Sequence, residues 1–282
     1  LVKIDFLPLL IKGREMFKEF VFKDEDVIKF CEITRDHNLI HIPQYMRENG
    51  KKTVVPGMLI LSTAIGMAGD LFKAGANMLE LYFHSIIGTG EKVEIGYELQ
   101  EQKPLKAEII ARNTINTLSK KGNPSMLMQM DVCPEFSSEG IMRTLDVRPN
   151  QMQQFAAMTG LIDNELGYLL FAITYASRGL LLSIDEPVTE VEREINRYLD
   201  KTINPEKLSP FYQYLKIYLP AQAIKPQPGH NLNYLIHFKR VKEGRTYDAR
   251  VTCFQQGGLI YYSEYQLIAI PDRLIMRMAS AV

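Results

Sequence analysis

The sequence predicts an α+β protein built from two similar halves, each a long buried helix wrapped by an antiparallel sheet. Three observations carry this. Each half places helical patterning first and strand patterning afterwards. Each contains one helix that is apolar nearly all round, which has to be buried on most sides. The segment Phe30 to Thr34 has a counterpart at Phe155 to Thr159. The division is expected near residues 146–149, giving halves of 1–147 and 148–282.

In the first half, Asp24 can cap a helix through Val27, Phe30 and Ile33, whose apolar spacing is helical. A polar, irregular stretch follows over 38–53. Pro56 suits the first turn of a second helix over 58–72, and Gly75 its end. Small residues along that helix (Ser62, Ala64, Gly66, Ala68, Gly69) allow a sheet to approach closely. Strands are expected over 15–22, 78–87, 91–100, 105–116 and 125–132. From Lys92 onward the third of these alternates as a half-exposed strand should.

The second half repeats the order. A helix starts after Arg148-Pro149, with Phe155 and Thr159 in the places of Phe30 and Thr34. An apolar helical stretch spans 166–184, and its Gly179-Leu-Leu-Leu-Ser loosely echoes Gly57-Met-Leu-Ile-Leu-Ser. Strands follow over 214–220, 231–241, 246–255 and 259–270. The same offset maps Asp36 to Leu161 and His41 to Leu166, so a polar pair in one half is apolar in the other. The segment 184–208, with Glu190, Glu192, Arg193, Glu194 and Arg197, reads as a solvated amphipathic helix.

Composition narrows the classes. Hydrophobic content of 46% and charged content of 23% are those of a globular chain. Lys+Arg and Asp+Glu balance at 33 each, which argues against nucleic acid as the partner. Cys31, Cys133 and Cys253 show no metal-ligand or disulfide-framework spacing, so reduced thiols in a cytoplasm are expected. Arg178 and several small residues interrupt the stretch 166–184, which is read as a buried helix rather than a membrane span. The first eleven residues are too short and too interrupted for a secretory signal.

The chemistry gathers at Phe30-Cys-Glu-Ile-Thr-Arg-Asp36-His-Asn38-Leu-Ile-His41, followed fifteen residues later by Pro56-Gly57. A carboxylate and an imidazole so spaced can grip one water between them. A Pro-Gly step opening an apolar helix can aim a backbone N–H at a carbonyl oxygen. These residues resemble the MaoC-like, or (R)-specific, enoyl-CoA hydratases, whose signature is Gly-Asp-x-Asn-Pro-hydrophobic-His and then a Pro-Gly step into the central helix. The match covers Phe30, Thr34, Asp36, Asn38, Ile40, His41, Pro56 and Gly57; Arg35 stands where the family has glycine and Leu39 where it has proline. The motif spans roughly residues 24–72.

The resemblance implies a tandem, or double, hot-dog fold in which the two halves pair as a built-in dimer. It also implies reversible hydration of trans-2-enoyl thioesters to (R)-3-hydroxyacyl thioesters, borne by coenzyme A or an acyl-carrier protein. Asp36 would be general base on a water that His41 also holds, and the Gly57 N–H would stabilise the thioester oxyanion. Asn38 would orient the water or Asp36, and Ser62, one turn into the helix, would face the pocket. No metal or redox cofactor is expected. Association of such pseudo-dimeric chains into homo-oligomers stays open. So do two rivals: a non-catalytic acyl- or partner-binding subunit, signalled by Arg35 and Leu39, and an acyl thioesterase.

Other candidates have plainer readings. His37 is expected in solvent, and His84, His230 and His237 as structural residues in or beside strands. Cys31 reads as a small buried hydrophobe, Asp163-Asn164 as a cap before the second apolar helix, and Tyr261 or Tyr262 as pocket lining or simple core.

Overall fold

A computed structural model describes residues 15–67, 78–82, 86–100, 106–113, 125–129, 139–161, 164–185, 208–240 and 246–279. Gly75, His84, Cys133, Asp163 and nearly all of the segment 184–208 lie outside the described residues. The described elements, in order, are β1 (Glu15–Val21), α1 (Asp24–Thr34), a 3-10 turn (Leu39–His41), α2 (Pro43–Glu48), α3 (Gly57–Met67), β2 (Met78–Tyr82), β3 (Lys92–Gln100), β4 (Lys106–Asn113) and β5 (Ser125–Gln129). There follow β6 (Ile141–Leu145), α4 (Gln151–Thr159), α5 (Asn164–Asp185), β7 (Leu208–Tyr218), β8 (Leu232–Arg240), β9 (Thr246–Gln255), β10 (Gly258–Pro271) and α6 (Asp272–Met278).

The ten described strands form one sheet in the order β1-β3-β4-β5-β2-β7-β10-β9-β8-β6. Every pairing is antiparallel. The order is the same palindrome read from either edge, five strands from each half meeting where β2 pairs β7, Met78 opposite Tyr218 and Tyr82 opposite Tyr214. The strand β6 pairs β8 and closes the far edge, as β1 pairs β3 at the near edge. Hydrogen bonding therefore groups 141–145, which precede the expected division at 147/148, with the strands of the second half.

Local chemistry explains the helices. In α1 the apolar side of Val27, Phe30, Ile33 and Thr34 is buried. Its first turn carries Asp24, Glu25 and Asp26, which suits the positive end of the helix dipole. Asp26 Oδ2 accepts from the Lys23 N–H at 2.8 Å, so Lys23 takes the cap position and the Asp24 carboxylate accepts from Thr89 Oγ1 instead. Met58, Leu59, Ile60, Leu61, Ala64 and Ile65 of α3 are all buried, as a helix apolar on every side requires. An aromatic column joins the halves: Phe30 lies 6.0 Å from Phe155 between ring centroids, Phe155 lies 5.6 Å from Phe171, and Phe171 lies 4.9 Å from Tyr175.

The two central helices are unequal at their starts. Gly57 opens α3, whereas Gly179 lies well inside α5, against Ile236, Tyr234 and Leu145 of its own sheet. The echo of the Gly57 segment at Gly179 is thus not an echo of position in the helix. Likewise Leu166 sits in the first turn of α5 and takes no place comparable to His41 in its loop. Among the described residues no helix is long and apolar enough to cross a membrane.

Candidate active site

The loop between α1 and α3 is folded by its own backbone. Helix α1 ends on Arg35, which holds the left-handed conformation with φ 53° and ψ 39°. This is the conformation glycine adopts most readily, and a residue with a Cβ holds it at a cost of about 1–2 kcal/mol. The Asp36 N–H then donates back to the Cys31 carbonyl at 3.1 Å, which turns the chain sharply out of the helix. Next, Ile40 and Val54 tie the two ends of the loop together, the Val54 N–H donating to the Ile40 carbonyl at 3.0 Å. Val54 also bridges Gly88, and the Val55 N–H donates to the Ile87 carbonyl at 2.8 Å, so the loop is anchored beside the start of β3.

That scaffold sets both side chains. One carboxylate oxygen of Asp36, Oδ1, accepts the Asn38 N–H at 3.0 Å. The other, Oδ2, lies 3.9 Å from His41 Nε2. On the far side of the ring, Nδ1 lies 2.7 Å from the Val54 carbonyl oxygen, which can only accept, so Nδ1 carries a hydrogen. In the neutral ring Nε2 is then the lone-pair nitrogen, turned toward Asp36. A gap of 3.9 Å is too long for a direct hydrogen bond, but it lets one water sit at about 2.8 Å from both atoms. The side chains are 10% exposed for His41 and 19% for Asp36, enough for a small reactant to reach them from one side.

Asp36, Asn38, His41 and Gly57 line one cavity of about 120 Å³, together with Thr34, Pro56 and Met58. Gly57 is the first residue of α3, so its N–H is one of those the helix leaves free. Ser62 is not brought to the site: it is wholly buried, its Oγ donates to the Met58 carbonyl at 2.7 Å, and it is not among the lining residues. The expectation that it faces substrate is corrected by that internal bond, which holds the hydroxyl on its own helix. Tyr261 and Tyr262 are also buried away from the lining, Tyr261 Oη donating to the Ala172 carbonyl at 3.3 Å. His37 is exposed, as expected.

The second half supplies much of the opposite wall, which the sequence did not reveal. Thr174, Ser177 and Leu180 of α5, Phe211 and Tyr212 of β7, and Leu267 of β10 all line the cavity. The Tyr212 hydroxyl shares a hydrogen bond with Ser177. Burial pushes the Tyr212 phenol well above its ordinary value, and the nearby Tyr265 and Asp36 push it the same way, so it stays neutral. Burial also raises the Cys31 thiol, with Asp36 and Glu32 adding to the effect; Cys31 is therefore a protonated spacer behind the carboxylate. The spacing of Thr174 and Ser177, one turn apart within a largely apolar stretch, was the available signal for these residues.

Further bracing comes from residues far along the chain. Gln151 Nε2 donates to the Ile33 carbonyl at the end of α1, and its Oε1 accepts the Arg148 N–H at 3.0 Å. Ile275 and Ala279, in and just after α6, pack with Ile40, Met46 and Val54 beneath the loop, and Lys51 Nζ donates to the Ala279 carbonyl at 3.1 Å. The second half thus supports the loop that carries Asp36 and His41.

Comparison with known proteins adds the architecture. No protein-family model matches the sequence, and no curated protein is significantly similar to it. Solved structures do match. A MaoC-like dehydratase from Phytophthora capsici is 8% identical with a TM-score of 0.58, covering 92% of this chain and 97% of its own. A Mycobacterium tuberculosis protein described as having a double hot-dog fold is 9% identical with a TM-score of 0.56, covering 92% and 97%. The dehydratase domain from the CurJ module of curacin polyketide synthase is 12% identical with a TM-score of 0.51, covering 94% and 95%. Identities this low speak to fold alone. The chain has a double hot-dog fold, with the architecture of the MaoC-like dehydratases.

Proposed function

We propose that the protein catalyses reversible hydration of trans-2-enoyl thioesters to (R)-3-hydroxyacyl thioesters of coenzyme A or an acyl-carrier protein. The observation that carries the reading is that Asp36, His41 and Gly57, the first residue of α3, line one cavity. Asp36, its Oδ1 steadied by the Asn38 N–H, takes a proton from water through Oδ2. The water oxygen bonds to C3, the C2=C3 π electrons move toward the carbonyl, and an enolate forms. The Gly57 N–H, at the positive end of α3, bears the growing charge on the thioester oxygen. A proton returned from the Asp36–His41 pair to C2 completes the addition, and dehydration runs the same steps in reverse. The reaction is redox-neutral and its proton traffic needs only these two groups, so no cofactor is assigned to it. The R configuration at C3 rests on the family resemblance, and a reducing compartment such as the cytoplasm on the dispersed cysteines.

The left-handed backbone at Arg35 supports an active loop rather than a silent one, because the chain there follows the path a glycine would take. The test follows loss of the enoyl absorbance with crotonyl-CoA, a longer trans-2-enoyl-CoA and their carrier-protein thioesters, beside Asp36→Asn. Hydration by the native protein and a fall of roughly 10²–10⁴-fold in the variant are expected. No hydration of any of these thioesters by the native protein overturns the reading. Release of free thiol from a saturated acyl-CoA makes it a thioesterase instead.

A further inference from the structure

Val54 holds the catalytic loop with both of its backbone groups. It bridges Gly88, and on either side of that bridge the Val55 N–H donates to the Ile87 carbonyl and the Thr89 N–H to the Thr53 carbonyl. In an antiparallel pair whose neighbours make the hydrogen bonds, the paired residue's own N–H and C=O turn away from the facing strand. Those of Val54 turn to the loop. The N–H donates to the Ile40 carbonyl at 3.0 Å, and the carbonyl accepts from His41 Nδ1 at 2.7 Å. One residue therefore grips two consecutive loop residues, the second through its imidazole.

The His41 bond decides where the ring keeps its proton. An unrestrained neutral imidazole favours Nε2–H, whereas a carbonyl at Nδ1 holds the proton there and leaves the lone pair on Nε2. A water between Asp36 Oδ2 and His41 Nε2 can then give one hydrogen to each. With the proton on Nε2, that water loses its second acceptor. The hydration proposed above therefore depends on where the Val54 carbonyl points.

The side chain of Val54 is held by residues remote in sequence. It is buried in a cluster with Ile40, Met46, Ile275 and Ala279, set apart from the main core. Small separate clusters of this kind lie under long loops. Two of its members come from the second half. Ile275, in α6, is 1% exposed and accepts the Ala279 N–H at 2.8 Å, and the Ala279 carbonyl accepts from Lys51 Nζ at 3.1 Å. Lys51 belongs to the same loop as Ile40 and Val54, so the second half meets that loop by packing and by a hydrogen bond. Ile40 and Val54 also line the cavity, as do Ile86 and Phe211, which pack against the cluster.

We infer that Ile275 is a positioning residue for His41: the cluster it completes aims the Val54 carbonyl, and that carbonyl keeps the His41 proton on Nδ1. The effect on rate rests on the hydratase reading, whereas the tautomer is read without substrate. It is measured from the nitrogen chemical shifts of the ring in protein labelled with 15N-histidine, in alkaline buffer where imidazoles are neutral. The His41 signals are those missing from His41→Gln. The native protein is expected to show Nδ1–H. Ile275→Ala is expected to shift the ring toward Nε2–H and to lower kcat roughly 10–10²-fold, the scale of about 1 Å of misplacement, with KM little changed. Ile275→Val, which keeps most of the side chain, is expected to restore both. Leu232→Ala, a truncation equally buried but in the main core and outside the cavity lining, is expected to lower Tm and leave tautomer and kcat alone. Lys51→Met removes only the bond to Ala279 and is expected to shift the tautomer in the same direction by less; it decides alone where Ile275→Ala does not fold. Nε2–H in the native protein overturns the inference. So does a tautomer that neither variant moves, or an equal shift in Leu232→Ala. A protein that shows these tautomer changes yet hydrates no enoyl thioester fails the hydratase reading and not the positioning.

Discussion

Helices α1 and α4 end alike and then part. Thr34 and Thr159 each bond back to the phenylalanine four residues earlier, at 2.8 and 2.9 Å. Each helix leaves through a left-handed residue, Arg35 at φ 53° and Gly160 at φ 68°. After that residue the Asp36 N–H donates to Cys31 and the Leu161 N–H to Ala156, both at 3.1 Å. From there residues 36–56 carry the first chain to α3, while residues 161–163 carry the second to α5. The same cap therefore delivers a carboxylate to a cavity in one half and a leucine into the core in the other. What separates a site from a scaffold here is the length and polarity of the connection, not the helix that precedes it.

The comparison breaks most sharply at the carboxylate. His41→Ala is expected to lose roughly 10²–10⁴-fold in turnover, as Asp36→Asn should, with the thermal unfolding midpoint little changed. Leu161→Asp should do the opposite: gain no hydration, because the offset that pairs Asp36 with Leu161 pairs His41 with a leucine, Leu166, and lose stability. Leu161 is 6% exposed and packs near α3. Its loss alone costs about 2–5 kcal/mol, and burying a carboxylate adds to that. Denaturant melts of the two variants check the contrast. A Leu161→Asp protein as stable as the native one would mean that the two caps are not buried differently.

The matching helix ends and the closeness of Asp36 to His41 were legible because they are local. Aligning Phe30 with Phe155 brings Thr34 onto Thr159 and Arg35 onto Gly160, and the structure gives those pairs matching hydrogen bonds and φ values. What the sequence hid depends on distant contacts. The strand β6 is five residues long with only Leu145 buried, so it shows little periodicity, and β8 is what makes it a strand. Helix α2 lay within a stretch that reads as polar and irregular, and α6 begins directly after Pro271 where a strand was ending. Thr174 and Ser177 were submerged in a helix read for its hydrophobicity, and Tyr212 is one of several aromatics on a strand. None of the three could be placed in the cavity until the halves were packed together. Ser62 failed for the reverse reason: its position near Gly57 was read correctly, but its hydroxyl belongs to its own helix.

A smaller effect tests whether one half supports the other's loop. Gln151 is 3% exposed, and its amide donates to the Ile33 carbonyl across the junction. Gln151→Leu keeps the bulk and leaves that carbonyl without this donor, for an expected loss of about 1–3 kcal/mol. Because Ile33 lies three residues before Asp36, turnover should fall as well, and more than stability alone would predict at a temperature where both proteins are folded. Equal kcat in the two proteins would show that the junction holds the fold without holding the site.

The smallest expected effect is the most direct test of the cap itself. Arg35 carries a Cβ at φ 53°, which costs about 1–2 kcal/mol, and its Nε is buried without a hydrogen-bond partner. Arg35→Gly removes that strain but adds chain entropy to the unfolded state, about 0.4–1 kcal/mol in the other direction. The balance favours the variant by about 0–1.6 kcal/mol, visible as a rise in Tm with little change in turnover. Gly160→Ala should reverse the sign. A Cβ there meets nothing within 4 Å, so any loss, expected at about 1 kcal/mol, comes from the φ of 68° and not from a clash. If Arg35→Gly instead lowers both Tm and turnover, the guanidinium supports the Asp36 loop through contacts worth more than the strain, and the arginine is then a functional replacement for glycine in that half rather than a tolerated one.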